Sequence, residues 1–280
     1  MFLLALRAVT VTRPVTRILH LSDLHFGFER HDLVEPLLDL INRSSADLVV
    51  VSGDLTHRGR AGQYRPAADF LARIVAPVMA IPGNHDIPLF NLPARLLWPY
   101  RGYRRAISRD LTPVRQSDRI RVFGLNSVDR FAIQRGLLRD RDLAAVTAGI
   151  DPLSMNIVAV HHPLEQLPVV DKELARHARR GLATLAEAGV QIVLSGHLHR
   201  WDTDQLMALT AHPGVLQIQT GTALCARTGD LQNEVAMLQI DGPHLTVERH
   251  IAPMDQPGFL PPVRQRYSRA SGVWAALDSD

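Results

Sequence analysis

The sequence predicts an α/β protein: a mixed sheet or β-sandwich with helices on its outer faces. Three observations carry this. Strand-like and helix-like segments alternate along most of the chain. The early strands are continuously apolar, as when both faces of a sheet are covered. The late strands alternate apolar with polar residues, the pattern of antiparallel strands with one covered face. A chain of 280 residues can bury a full core in one large domain or two small ones.

The elements follow in order. Arg17 to Ser22 reads as a strand, followed by a helix near Leu33 to Asn42. Asp47 to Ser52 is a strongly β-branched buried strand, then come a helix near Gln63 to Val75 and a strand from Val78 to Pro82. Ile120 to Asn126 is a strand and Arg139 to Ala148 a helix. Asn156 to Val160 is a strand, Lys172 to Ala188 a helix, and Gln191 to Ser195 and Val215 to Thr220 are strands. Glu234 to Ile240 and Leu245 to His250 alternate around Asp241-Gly242, a hairpin signature. The segment Asn91 to Asp118 has no clean period and reads as an inserted cap. Residues from Pro253 onward are rich in Pro, Gly and Ser and read as an extended tail. The expected organisation is a domain over 17–252, with an insertion at 91–118, and a tail over 253–280.

Composition bounds the setting. Cys225 is the only cysteine, so neither an internal disulfide nor a Cys-rich zinc site is available. The thiol itself reads as inert. A reducing, cytoplasmic location is expected. Phe2 to Leu6 is too short for the apolar region of a secretory signal, and no window of about 18 apolar residues exists. A peripheral membrane contact stays open, and oligomeric state is not readable. Lys172 is the only lysine among 31 basic residues, which resembles a GC-rich coding background, so net charge alone says little about nucleic acid. Its distribution says more: Arg95 to Arg121 holds eight Arg and two Asp, against a net +3 for the whole chain.

Five short motifs carry the chemistry: Asp23-Leu24-His25, Gly53-Asp54, Gly83-Asn84-His85-Asp86, His161-His162-Pro163 and Gly196-His197-Leu198-His199. Each follows or ends an apolar strand, which places it at the strand's C-terminal end, where open α/β sheets bind ligands. Carboxylate, amide oxygen and imidazole suit first-row divalent metals. Residues two apart in an extended segment point alike, so Asp23 with His25, and His197 with His199, can face one site. Asp54 has two oxygens and can bridge ions about 3.5–4 Å apart, the spacing of two-metal hydrolases. Two cations sharing one water would supply hydroxide at neutral pH for in-line attack on phosphorus.

These motifs, in this order from about Arg17 to Arg200, resemble the calcineurin-like metallophosphoesterase superfamily. The resemblance implies a four-layer α/β/β/α sandwich of two mixed sheets flanked by helices. It implies that Asp23, His25, Asp54 and His199 hold one divalent ion, and Asp54, Asn84, His161 and His197 a second, drawn from Mn, Fe, Zn or Co. His85 would contact phosphate and protonate or stabilise the leaving oxygen without being a ligand. No motif position is missing, which argues against a non-catalytic interaction module.

Among subfamilies, Gly-Asn-His-Asp, His-His-Pro and Gly124-Leu125-Asn126-Ser127 look most like bacterial class III cyclic-nucleotide phosphodiesterases. Lipid A precursor hydrolases commonly carry Arg where His85 stands. The expected substrate is a small nucleotide-like or lipid-like phosphodiester; the alternatives are a phosphomonoester, or DNA cut by an SbcD-like nuclease.

Other residues read as structural. His20, His31, His57, His177, His212, His244 and His250 are taken as surface or packing residues, with His57 the least secure because it follows Asp54 by three. His162 should point away from His161. Asp86 either orients His85 or caps the next segment. In the cap, Arg101, Arg104 and Arg105 mingle with Trp98, Tyr100 and Tyr103. They form either a lid binding substrate phosphate or a solvated helix pair whose rings pack on the core.

Overall fold

Alternation inside strands that are apolar throughout decides the layers. In β1 (Thr16–Leu21) Ile18 joins a core between two sheets, whereas Leu19 and Leu21 join a core beneath helices. In β2 (Leu48–Val51) Leu48 and Val50 take the first direction, and Val49 and Val51 the second. On the opposite sheet, Ile157 and Ala159 of β6 (Met155–Val160) face the inter-sheet core, and Val158 and Val160 face outward. Both faces of each central strand are thus covered, which is why no polar alternation marks them in the sequence.

The computed structural model describes residues 15–117, 119–166, 172–201, 212–227 and 232–277. In one sheet β1 pairs in parallel with β2, and β2 with β3 (Val78–Ala80). On its other side β1 pairs antiparallel with β9 (Gln232–Asp241), which forms the expected hairpin with β10 (His244–Pro253). The second sheet runs β5 (Ile120–Leu125), β6, β7 (Ile192–Ser195) and β8 (Leu216–Gln219), all parallel. Helices α1 (His31–Arg43) and α2 (Ala61–Ala72) cover the first sheet through Leu33, Leu37, Ile41, Ala67 and Phe70. Helices α5 (Asp140–Gly149) and α6 (Ala178–Ala188) cover the second through Leu143, Val146, Leu182 and Leu185. The architecture is the expected α/β/β/α sandwich of two mixed sheets.

Three expectations change. Helix α6 starts at Ala178 rather than Lys172, because Arg176 is drawn into a bridge with Leu137 and His177 adopts a left-handed backbone (φ 64°). Residues 167–171 lie outside the described residues.

The expected tail is instead sheet. β11 (Val263–Ser268) pairs with β10, and β12 (Ala275–Leu277) with β11. Pro, Gly and Ser here only punctuate the turns. Tyr267 and Trp274 are buried in the inter-sheet core, and the Arg30 guanidinium donates to the carbonyls of Pro253 (2.7 Å) and Gln256 (2.8 Å), fixing the turn between. Residues 278–280 lie outside the described residues.

The segment 91–118 is not a single cap. It contains α3 (Leu92–Leu97), α4 (Arg101–Ala106) and β4 (Val114–Gln116), and β4 extends the second sheet antiparallel to β5. Helix α4 packs on α2, with Tyr103 fully buried in the helix-side core. Asp118 lies outside the described residues, and among those described no helix is long and apolar enough to cross a membrane.

One buried histidine of β1 gives a test of the fold. His20 is fully buried, with Nε2 2.8 Å from Ser52 Oγ; burial pushes its pKa down to about 3, against the opposing pull of Asp23. An unfolded histidine protonates near pH 6.5. The contribution of this residue is therefore complete above that pH and is lost as pH falls toward 3, with a slope of up to about 1.4 kcal/mol per unit. Between pH 6.5 and 5 this amounts to about 2 kcal/mol. Urea unfolding of wild type and His20→Gln over that range should show a shallower pH dependence in the variant. Parallel curves would show that His20 is not a buried neutral group.

Candidate metal centre

The motifs sit where parallel strands end: Asp23 and His25 after β1, Asp54 after β2, Asn84 and His85 after β3, His161 after β6, His197 and His199 after β7. Both sheets therefore contribute to one edge. The backbone turns sharply there. Among the described residues seven non-glycines have positive φ, and five are motif residues: Asp23 (56°), His25 (49°), Asp54 (52°), His197 (72°) and His199 (56°). Such conformations cost about 1–3 kcal/mol each and persist where the surroundings over-determine them. Here the loops stay paired after the strands end: Asp23 N–H donates to Gly53 O (3.1 Å) and His25 N–H to Asp54 O (2.9 Å). Between the sheets, His197 N–H donates to Asp23 Oδ2 (2.9 Å).

The side chains converge on two carboxylates. Asp23 Oδ1 is buried and has no hydrogen-bond donor, yet it lies 3.4 Å from His25 Nε2 and 3.2 Å from His199 Nε2. Those two nitrogens are 3.0 Å apart. Asp54 Oδ1 accepts from His85 N–H (2.8 Å), while Oδ2 faces His161 Nε2 at 3.3 Å and His25 Nε2 at 3.8 Å. His161 donates Nδ1–H to Ser52 O (2.9 Å), and its Nε2 is 3.1 Å from Asn84 Oδ1. Asn84 in turn donates to Ile133 O (3.2 Å), which aims its amide oxygen inward. The His197 ring stands 5.1 Å from that of His161. Lone pairs thus outnumber protons, and a buried carboxylate oxygen has no donor; this donor set fits divalent cations held by oxygen and imidazole.

Electrostatics agree. Burial alone would raise both carboxyls, but the histidines outweigh it. His199 and His25 hold Asp23 well below the usual range, and His161 and His85 do the same for Asp54. Burial lowers His25, and burial together with the neighbouring His162 and His161 lowers His197, so both rings are neutral at pH 7. Burial would also lower His161, but the Asp54 carboxylate outweighs it and pushes its pKa up to about 9. A divalent ion, if bound by His161, would take the place of that proton.

The supporting shell was less legible. The Asp86 carboxylate accepts from the N–H groups of Leu55 (3.1 Å), Thr56 (2.8 Å) and Gly83 (3.0 Å), clamping the Asp54 and Asn84 loops together. It caps backbone and does not orient His85. His85 is fixed by His57, whose carbonyl accepts from Nδ1 at 2.5 Å. The rings of His57 and His85 lie 5.6 Å apart, so His57 belongs to the cluster. His162 is held by Ser127 Oγ at Nδ1 and Gln134 O at Nε2, both 2.8 Å, which occupies both ring nitrogens. Cys225 offers its sulfur within 4.8 Å of ring nitrogens of His25 and His199, a placement no sequence signal indicated. Thr222 Oγ1 donates to Asp23 O (2.7 Å).

The cap arginines are elsewhere. Arg101, Arg104 and Arg105 lie on the exposed side of α4 and, among the described residues, form no hydrogen bond or ion pair with the cluster. Arg95 is buried and donates to the carbonyls of Pro88, Arg130 and Ala132, tying the loop after β5 to the chain after the Asn84 turn.

Gly83 is required by close approach. A Cβ there would stand 2.1 Å from Asp54 Oδ1 and 2.4 Å from Asp54 N, so alanine must displace the central carboxylate. Such overpacking costs about 1–3 kcal/mol or more. Gly83→Ala should lower the melting temperature and the metal content together. Gly62→Ala, where nothing lies within 4 Å, should do neither. Equal behaviour of the two variants would refute the steric account.

Comparison with known proteins places this geometry. Residues 16–201 match the calcineurin-like phosphoesterase family. The chain is 38% identical over 80 residues to the glycerophosphodiester phosphodiesterase of Enterobacter lignolyticus, covering 24% of this chain and 28% of that protein. It is 28% identical over 166 residues to a probable cyclic nucleotide phosphodiesterase of Synechococcus sp., covering 57% and 60%. The matches thus span less than two thirds of these relatives' own lengths. In fold it is similar to purple acid phosphatase from yellow lupin, with TM-score 0.63 and 13% identity over 90% of this chain and 53% of that one. The match over the whole motif-bearing stretch, on this fold, means that the chain belongs to the calcineurin-like phosphoesterase family.

Proposed function

We propose that the protein is a dinuclear phosphodiesterase acting on a small nucleotide-like or lipid-like diester. The observation that carries this reading is Asp54 Oδ2, which faces imidazoles from both sheets at 3.3 and 3.8 Å while Oδ1 is held by the His85 amide. In this reading Asp23, His25, Asp54 and His199 hold one divalent ion, and Asp54, Asn84, His161 and His197 hold the other. When bound, such cations lower the pKa of water and neutralise developing phosphoryl charge. The fixed carboxylates and rings, set in strained but paired loops, keep the donors in place without reorganisation.

His85 acts as the proton donor. The His57 carbonyl holds its Nδ1–H, which leaves Nε2 as the atom that gives a proton to the leaving oxygen. His85 is only partly buried, in keeping with a group that meets substrate. Diester preference is supported by the phosphodiesterase names of the similar proteins from Enterobacter and Synechococcus. Arg101, Arg104 and Arg105 contribute electrostatic attraction of an anionic substrate from the exposed side of α4. The nuclease alternative rests on the basic segment, where Arg95 is committed to backbone carbonyls and Arg121 to Gly149 O and Asp151.

The test is a substrate panel with Mn-, Fe-, Zn- or Co-reconstituted protein: aryl and alkyl phosphodiesters, cyclic nucleotides, phosphomonoesters and duplex DNA. Diesters should be turned over at least about tenfold more efficiently than matched monoesters, a difference of about 1.4 kcal/mol in transition-state binding. Preference for monoesters, or cleavage confined to DNA, would overturn the reading.

A further inference from the structure

Beside His57 lies a cavity of about 430 Å³ lined by Phe28, His57, Arg58, Arg60, Gln63 and Arg227. Apart from His57, whose carbonyl fixes His85, none of these residues belongs to the metal-binding or proton-donating set. The cavity adjoins that set directly. His57 stacks on Phe28 with ring centroids 5.0 Å apart, and its other neighbours are His85 and His25, at 5.6 and 5.8 Å. One imidazole therefore forms the common wall between the reacting centre and the cavity.

The cavity is built rather than incidental. Gln63 Oε1 accepts from the backbone N–H of Arg58 (2.9 Å) and of Arg60 (3.3 Å), holding both arginines at the rim. Gln63 packs flat on Gly27, where a Cβ would stand 2.2 Å from its Nε2, so only glycine admits this contact. The Arg58 guanidinium lies over the Phe90 ring, 5.3 Å from its centre, which restrains it. Among the described residues no carboxylate pairs with Arg58, Arg60 or Arg227. Glu29, alongside, turns its carboxylate to the Gly27 amide and to His31. Three guanidinium groups around a phenyl ring, none with a carboxylate partner among the described residues, make a cavity for a group both anionic and partly apolar, since guanidinium binds carboxylate and phosphate oxygens in a fork geometry.

We infer that this cavity seats the non-reacting arm of the substrate, and that this arm ends in an anion, a carboxylate or a phosphate. The inference rests on the phosphodiesterase reading above. It narrows the substrate to diesters carrying a second negative charge a few bonds beyond the scissile phosphate, with the intervening carbons against Phe28.

The test uses Mn-loaded protein and nitrophenyl phosphodiesters whose second arm ends in a carboxylate, a phosphonate or an isosteric neutral amide. Wild type should prefer an anionic arm by at least about tenfold in kcat/KM, mainly through KM, since the contact is made equally before and during reaction. The relative rates of the two anionic arms distinguish carboxylate from phosphate recognition. In Arg58→Gln/Arg60→Gln/Arg227→Gln the preference should collapse to within about twofold, and the corresponding triple Lys variant should restore part of it. No preference in wild type, or a preference that survives in the Gln variant, overturns the inference. Should no diester be hydrolysed at all, the phosphodiesterase reading falls, and calorimetric titration with the free anionic arm decides the cavity separately. Saturable binding lost in the Gln variant upholds it, and absence of binding by wild type overturns it.

Discussion

Asp54→Ala is expected to empty both metal positions and lower the rate by at least roughly 10³-fold, equivalent to about 4 kcal/mol of lost transition-state stabilisation. Asp54 Oδ2 lies close to imidazoles of both sheets, at 3.3 Å from His161 and 3.8 Å from His25. Its removal also leaves the part-buried His85 N–H without its acceptor, which costs up to about 1–3 kcal/mol of stability. Elemental analysis of Mn-reconstituted wild type should give close to two ions per chain. His25→Ala should retain the ion held by His161, Asn84 and His197 and lose the other, so its content falls toward one. A wild-type content of one, or an Asp54→Ala variant that keeps two, would remove the bridging role.

His85→Ala has the second largest expected effect, and it separates chemistry from metal binding. No ring nitrogen of His85 is needed for the metals in this reading, so the variant keeps its ions. It loses roughly 10²–10⁴ in rate, the usual share of general acid–base help. The loss shrinks for nitrophenolate leaving groups, which depart without protonation. His57→Ala provides a second arm: the acceptor for His85 Nδ1–H is the His57 backbone carbonyl, which alanine retains, so its loss should be clearly smaller. Metal loss in His85→Ala, or an effect independent of leaving-group acidity, would show that His85 is a ligand or a structural residue.

Much of the site was legible because the chemistry restricts the residue types. The motifs concentrate Asp, Asn and His, whose oxygen and imidazole donors suit divalent metals, at strand ends, and the resemblance to the calcineurin-like superfamily singled out Asp23, His25, Asp54, Asn84, His161, His197 and His199 among them. The shell behind them did not, because its partners are set by pairing across the fold. Asp86 reaches Leu55 and Thr56 only because β2 and β3 are neighbours. His57 acts on His85 through a carbonyl, an atom every residue has. Cys225 comes beside His25 and His199 from a loop some two hundred residues from the first. The C-terminal strands were masked by Pro, Gly and Ser turns, and the Arg-rich segment was read by its charge although Tyr103 anchors it to the core.

By itself the sequence determined the α/β class, the order of the central strands and the helices that cover them, the strand ends that bear the chemistry and the kind of atom they present. These are local properties, fixed by periodicity and side-chain type. Only the tertiary structure decided that the strands divide into two sheets, because strands buried on both faces carry no polar mark of which neighbour each face meets. It alone brought Asp54 Oδ2 between His25 and His161, from loops on opposite sheets. It alone placed Arg58, Arg60 and Arg227 around one cavity, since convergence of distant residues depends on contacts that sequence spacing does not contain.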